Sequence, residues 1–225
     1  MALQIAGRKI HRVRLIDDKV ESRAVLSYPV EDLKLECVDE PGPIDDIDKY
    51  IRDFTVMGDA AICDHHLKES KGYSDYNGAE VVSRLFQAGL PAILCTRYEA
   101  ARIFEDIRKY RQHIPILINP RDLGPDKIAE GFRLCLEEIR GNIPPSRKPW
   151  RTLVQVADID TQINPNKPLA DVVIPAWDAN QIIRLLIDDI GESVRGKIQQ
   201  GYRCHARVNL GADRQEDIFF TDWTE

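Results

Sequence analysis

The chain has no Cys-x-x-Cys pair, no glycine-rich phosphate loop, no internal repeat, and no low-complexity segment. Its five cysteines (Cys37, Cys63, Cys95, Cys135, Cys204) are odd in number and scattered. That spacing argues against a disulfide framework and for a reducing compartment. Cys63, Cys95 and Cys135 lie inside apolar runs and read as small core residues. No run approaches the roughly 18 apolar residues of a membrane helix. The opening MALQIAGRKIHRVRLIDD has no apolar stretch of signal-peptide type. The expectation is a cytoplasmic protein with no membrane association. Positive charge is also short. Net charge is −6, with 23 Lys+Arg against 25 Asp+Glu over residues 1–150 and 8 against 12 over residues 151–225. Neither part carries the clustered cations that displace phosphate counterions, so no nucleic-acid partner is expected. Arg102, Arg108, Lys109 and Arg111 fall on one expected helix and read as its solvated face.

What is there is a regular alternation. Apolar runs at 11–16, 34–38, 60–63, 92–95 and 114–118 read as strands. Between and after them, 21–27, 44–54, 78–88, 99–111 and 126–139 read as helices, with Pro29 stopping the first one early. Strands alternating with helices predict an α/β fold, a five-stranded parallel sheet doubly wound by helices. With 225 residues, the chain has room for this domain (1–140) and a smaller one. GNIPPSRKP, with three prolines and a glycine, reads as a linker within residues 141–150. Residues 151–225 then read as a small α+β domain, β-β-α-β-β, with its helix at 180–190.

Four short segments end or follow the buried strands: Ile16-Asp17-Asp18, Cys63-Asp64, Cys95-Thr96 and Asn119-Pro120. A parallel sheet brings the carboxyl ends of its strands to one edge, where ligands bind. Three carboxylates crowded there call for a hard divalent cation with oxygen ligands, Mg²⁺ before others. One carboxylate is then placed to act as a nucleophile, with a hydroxyl nearby to hold a phosphoryl oxygen.

This ordered set resembles the receiver domain of bacterial response regulators, which are receiver (CheY-like) or flavodoxin-like in fold. The family's acidic pair matches Asp17 and Asp18, its phosphoacceptor Asp64, its hydroxyl switch residue Thr96, and the glycine after its phosphoacceptor loop Gly78. The resemblance covers about residues 10–140 and implies Mg²⁺ held by Asp17, Asp18 and Asp64. It also implies a cis bond before Pro120, a histidine kinase or downstream effector as protein partner, and a homodimer through the face between the fourth and fifth strands. Three positions depart from the family. Asn119 stands where the family has lysine, the 64–78 loop is longer, and Leu117 replaces an aromatic switch residue.

Two other readings stand beside this one. Asp64-His65-His66 resembles the signature of DHH phosphoesterases, which bind Mn²⁺, but the companion motifs of that family are missing. The third reading is an interaction protein without chemistry, not an enzyme. The three tryptophans (Trp150, Trp177, Trp223) all lie at or beyond the linker. They read as core filling before interface. The expectation is therefore a response-regulator-like signalling protein. Asp64 is its phosphoacceptor and Thr96 and Asn119 contact the phosphoryl group, or else the receiver is degenerate and serves as a protein-interaction scaffold.

Overall fold

The computed structural model describes residues 2–57, 59–97, 106–162 and 167–225. The chain divides into two compact units, residues 1–99 with 113–142 and residues 100–112 with 143–225.

The first unit is built on a parallel sheet. Its strands are β3 (Arg12–Ile16), β4 (Glu36–Asp39), β5 (Ala60–Cys63), β6 (Ala92–Cys95) and β7 (Leu117–Ile118), after a hairpin of β1 (Leu3–Ile5) and β2 (Arg8–Ile10). The spatial order is β4-β3-β5-β6-β7, and every pairing in it is parallel. Counting from β3, that is the order 2-1-3-4-5 of the flavodoxin-like doubly wound sheet. All four residues of β5 and of β6 are buried, as strands covered on both faces must be. One face is covered by α1 (Val20–Asp32) and α4 (Pro125–Ile139), through Leu26 and Val30 on the first and Ile128, Phe132 and Leu136 on the second. Both sets repeat at helical spacing, which is why these segments fold as helices against the sheet. Also in the unit are α2 (Ile47–Met57) and α3 (Gly78–Gln87), which touch one another.

Several expectations need correction. The hairpin was not anticipated. Ala6 and Gly7 both adopt left-handed φ (42° and 68°) at its turn, and Ile5 and Ile10 enter the main core. Pro29 does not stop α1, which runs on to Asp32 with Pro29 inside it. One lost backbone hydrogen bond is outweighed there by the burial of Leu26 and Val30. The last strand is only Leu117–Ile118, because Pro115 has no N–H to give to a ladder. Residues 99–105 of the expected 99–111 helix lie outside the described residues. Residues 106–108 are helical.

The second unit is a five-stranded antiparallel sheet, in the order β10-β9-β8-β11-β12. Its strands are β8 (Trp150–Asp160), β9 (Leu169–Ile174), β10 (Asp178–Leu186), β11 (Arg203–Val208) and β12 (Phe220–Thr224), with a one-turn helix α5 (Glu192–Arg195). The helix expected at 180–190 is thus the strand β10. Its Ile183 and Leu185 are buried while Ile182 is 52% exposed, an alternation that a helix does not give. Pairing with β9 selects this state, reinforced by Arg184, whose Nε and Nη2 donate to the two carboxylate oxygens of the directly opposed Asp171 at 2.8 and 2.9 Å. Of the basic face expected on 99–111, Lys109 is exposed and Arg102 lies outside the described residues, but two members are not solvated. Arg108 and Arg111 are buried, Arg108 donating to the carbonyls of Gln215 and Ile218 (2.8 Å each) and Arg111 to Asp217 Oδ1 (2.6 Å). Trp150 is exposed, whereas Trp177 and Trp223 pack against the core of this unit.

Candidate functional site

The carboxyl edge of the parallel sheet gathers the expected residues. Asp17 and Asp18 follow β3, Asp64 follows β5, Thr96 follows β6 and Asn119 follows β7. Register makes them neighbours in space. Ile16 pairs with Cys63, and Asp64 N donates to Ile16 O at 2.9 Å. Cys95 pairs with Ile118, and Thr96 N donates to Ile118 O at 3.0 Å. Asp17-Asp18 and Asp64 therefore flank the point where the strand order reverses, the usual ligand position of such sheets.

The electrostatics of this edge centre on Asp17, which is 6% exposed. Burial pushes its carboxyl up to about 6. The backbone N–H of Lys19, 2.8 Å from Oδ1, opposes that shift, and the charges of Asp64 and Asp18 add to it. Asp64 Oδ2 accepts from His66 N at 2.8 Å, and the side chain stays about a fifth exposed (20%). Asp18 Oδ2 accepts from Ser70 N at 2.5 Å. Thr96 is fully buried and its Oγ1 has no hydrogen-bond partner. Asn119 caps the turn Pro120–Asp122, its Oδ1 accepting from Arg121 N at 3.0 Å. Pro120 opens that turn, and the cis peptide among the described residues is Gly42–Pro43, so the expected cis bond before Pro120 is not found.

The histidines of the Asp64-His65-His66 segment do not converge on a common ion. His65 is buried, with its Nδ1 unpartnered. Burial, with His66 next to it, pushes its imidazole down to about 4 and keeps it neutral at pH 7. His66 lies more open, its Nδ1 3.9 Å from Asp64 Oδ2. Among the described residues no group of three or more His, Cys, Asp or Glu side chains is assembled for a metal ion. Asp17, Asp18 and Asp64 each accept from a separate backbone N–H, through one carboxylate oxygen apiece.

Two residues at this edge were not anticipated. Arg23 on α1 is buried beneath the acids, Nη1 donating to Asp17 O and Nε 3.8 Å from Asp39. Its place five residues after Asp18, on the inner face of a helix, is the only trace it leaves in the sequence. Ser70 reaches Asp18 from 52 residues away, and no local pattern signals that contact. In the second unit a shallow open cleft is lined by Arg108, Lys109, Leu185, Asp189, Phe220 and Trp223. Burial pushes the Asp189 carboxyl up, while Lys109, 4.0 Å away, pulls it down.

No protein-family model and no curated protein matches this chain. Solved structures do. A response regulator receiver domain protein from Clostridium thermocellum is 11% identical, with 58% of this chain and 98% of that one covered and a TM-score of 0.42. A structure titled FixJ-N is 14% identical over 58% of this chain and 96% of its own, TM-score 0.43. A CheY-like receiver domain protein from Methanospirillum hungatei JF-1 is 14% identical over 59% and 98%, TM-score 0.41. Among the described residues no helix is long and apolar enough to cross a membrane. Response regulator receiver domains are what the N-terminal part of the chain is similar to, and its strand order alone makes its fold the receiver or flavodoxin-like one.

Proposed function

We propose that this chain is a receiver-type signalling protein that works as a protein-interaction scaffold and not as a phosphoacceptor. The observation that carries the reading is Asn119. It stands where the family brings a cation to the phosphoryl group, it has no charge, and its amide oxygen is already engaged by Arg121 N. An incoming phosphoryl oxygen at this edge would meet the acids Asp17, Asp18 and Asp64 with no lysine opposite them. With Lys19 drawn to Glu69 and Arg23 engaged by the Asp17 carbonyl and Asp39, like charge disfavours the approach. The partner is a protein, a kinase-side or effector-side signalling component. The antiparallel unit that follows supplies a second surface for binding. On this reading the chain works in the cytoplasm as a homodimer, without nucleic acid.

One observation favours a second reading, in which Asp64 is phosphorylated. Thr96 Oγ1 is buried without a partner, the state of a hydroxyl waiting for an acceptor. Incubating the full chain with Mg²⁺ and acetyl phosphate and weighing it intact separates the two. The scaffold reading expects no adduct in the wild type. An added phosphoryl mass that disappears in Asp64→Asn overturns it.

A further inference from the structure

We propose that residues 67–77 form a strap that occupies Asp18 and thereby keeps a divalent cation out of the carboxyl-edge site. This goes beyond the reading above, which rests on Asn119 and says nothing about metal.

The strap is tied down at three places. Its start is anchored by Leu67, which is fully buried. Its middle meets the acidic pair. Ser70 N donates to Asp18 Oδ2 at 2.5 Å, Ser70 Oγ donates to Asp18 O at 3.3 Å, and Lys19 Nζ pairs with Glu69 Oε2 at 2.5 Å. Its end is clipped to the segment after β4. Ile44 N donates to Tyr73 O at 2.7 Å and Asp75 N to Ile44 O at 3.1 Å, a short parallel bridge beyond the sheet. Tyr73 OH also donates to Glu40 O at 2.9 Å. Gly42, with φ +71°, makes room for this clip, since a Cβ there would stand 2.9 Å from the Tyr73 ring.

The chemistry of the middle tie explains what the strap does. A carboxylate at a crowded acidic edge needs positive partners. A cation is one solution, and a short hydrogen bond from a backbone N–H is another. Asp18 takes the second, and the neighbouring Lys19 is drawn to Glu69 on the same strap. The exposed Lys19–Glu69 pair adds little energy, so the backbone hydrogen bond is the main fastening. While Asp18 Oδ2 accepts from Ser70 N it is a poorer ligand for a cation at Asp17 and Asp64. The cation and the closed strap therefore compete for Asp18.

The test uses the full chain and Mn²⁺ alone, followed by the free Mn²⁺ signal in paramagnetic resonance. Wild type is expected to show no saturable site at millimolar Mn²⁺. Ser70→Pro deletes the donor N–H and is expected to tighten Mn²⁺ binding about tenfold or more, as losing a competing charge-assisted hydrogen bond should. That gain should vanish when Asp18→Ala is added. Saturable binding by the wild type overturns the proposal, and so does a folded Ser70→Pro that stays silent. If Ser70→Pro does not fold, limited trypsin digestion of Asp18→Ala decides. Cleavage at Lys68 and Lys71 faster than in the wild type supports the strap, and an unchanged rate overturns it. Acetyl phosphate plays no part in these measurements, so failure here leaves the scaffold reading standing, and the two failures are told apart by their readouts, a Mn²⁺ isotherm in one case and a phosphoryl mass in the other.

Discussion

A Cβ placed on Gly78 would lie 1.7 Å from the carbonyl oxygen of Asp64. The first residue of α3 is therefore pressed against the end of β5, with Gly78 N donating to His65 O at 2.9 Å and Asn77 capping the helix through Glu80 N. Helix and strand end move as one piece, and the position of Asp64 depends on a missing side chain. Replacing Gly78 by Ala must displace backbone, which relaxes poorly. We expect Gly78→Ala to destabilise the fold by about 2–4 kcal/mol, at or above the upper range for overpacking. Gly89→Ala, where the space is open and only the left-handed φ of 79° resists, should cost about 1 kcal/mol. Urea unfolding of the two variants checks the order, and equal losses would contradict it.

The second prediction concerns Asp17. Its folded carboxyl titrates near 6 against 3.8 unfolded, because burial disfavours its charge. A raised folded value means the folded state holds the proton more tightly. Its contribution is favourable below about pH 4 and lost as pH rises through 6. Asp17→Asn removes that loss and keeps an acceptor for Lys19 N. Its melting temperature should exceed that of the wild type at pH 7.5, by an amount equivalent to about 1–3 kcal/mol. The difference should shrink to nothing as pH approaches 4. A variant that is less stable at pH 7.5 sinks the argument.

His65 gives a third prediction, of opposite sense. Its imidazole is depressed to about 4, so the unfolded chain takes up a proton between pH 6.5 and 4 while the folded chain does not. Stability tied to His65 is therefore lost as pH falls through that window. His65→Leu keeps an apolar shape and cannot take the proton. The stability of the variant relative to wild type should rise steadily from pH 6.5 to pH 4, by about 2–3 kcal/mol over the window. A flat difference would show that His65 is not the buried neutral group described.

A fourth prediction lies in the second unit. Burial pushes the Asp217 carboxyl up, but Arg111 and Arg214 outweigh it and hold the group below the usual carboxylate range. Arg111 is buried, 2.6 Å from Asp217 Oδ1. Asp217→Ala leaves that guanidinium without its carboxylate and should cost about 3 kcal/mol. Arg214→Ala, the exposed partner, should cost under about 1 kcal/mol. Thermal unfolding followed by tryptophan fluorescence reports on this unit, because all three tryptophans lie in it.

The parallel sheet was legible because both-face burial writes itself as unbroken apolar runs, as in Ala60–Cys63 and Ala92–Cys95. The candidate site was legible for the same reason. Asp17, Asp64, Thr96 and Asn119 are the first polar residues after those runs, and a parallel sheet sends such residues to one edge. Contacts that depend on distant chain were not legible. Asn180–Ile190 has apolar residues compatible with either period, and pairing with β9, reinforced by Arg184 on Asp171, chooses the strand. Arg108 and Arg111 look like a solvated face until Gln215, Asp217 and Ile218 arrive from more than a hundred residues away. Ser70 carries no mark of its hold on Asp18 for the same reason.

Residues 106–112 lie between the fourth and fifth strands of one unit in sequence and yet pack within the other. The consequence is one of divisibility. A cut within 141–146 separates the residues after it from 106–112, so the Gln215 and Ile218 carbonyls and the Asp217 carboxylate lose Arg108 and Arg111, and Arg147 loses the carbonyls of Arg111 and Gln112. The piece that follows such a cut does not hold its complete unit. The smallest inheritable piece of this protein that keeps the antiparallel unit's ties intact also carries residues 106–112.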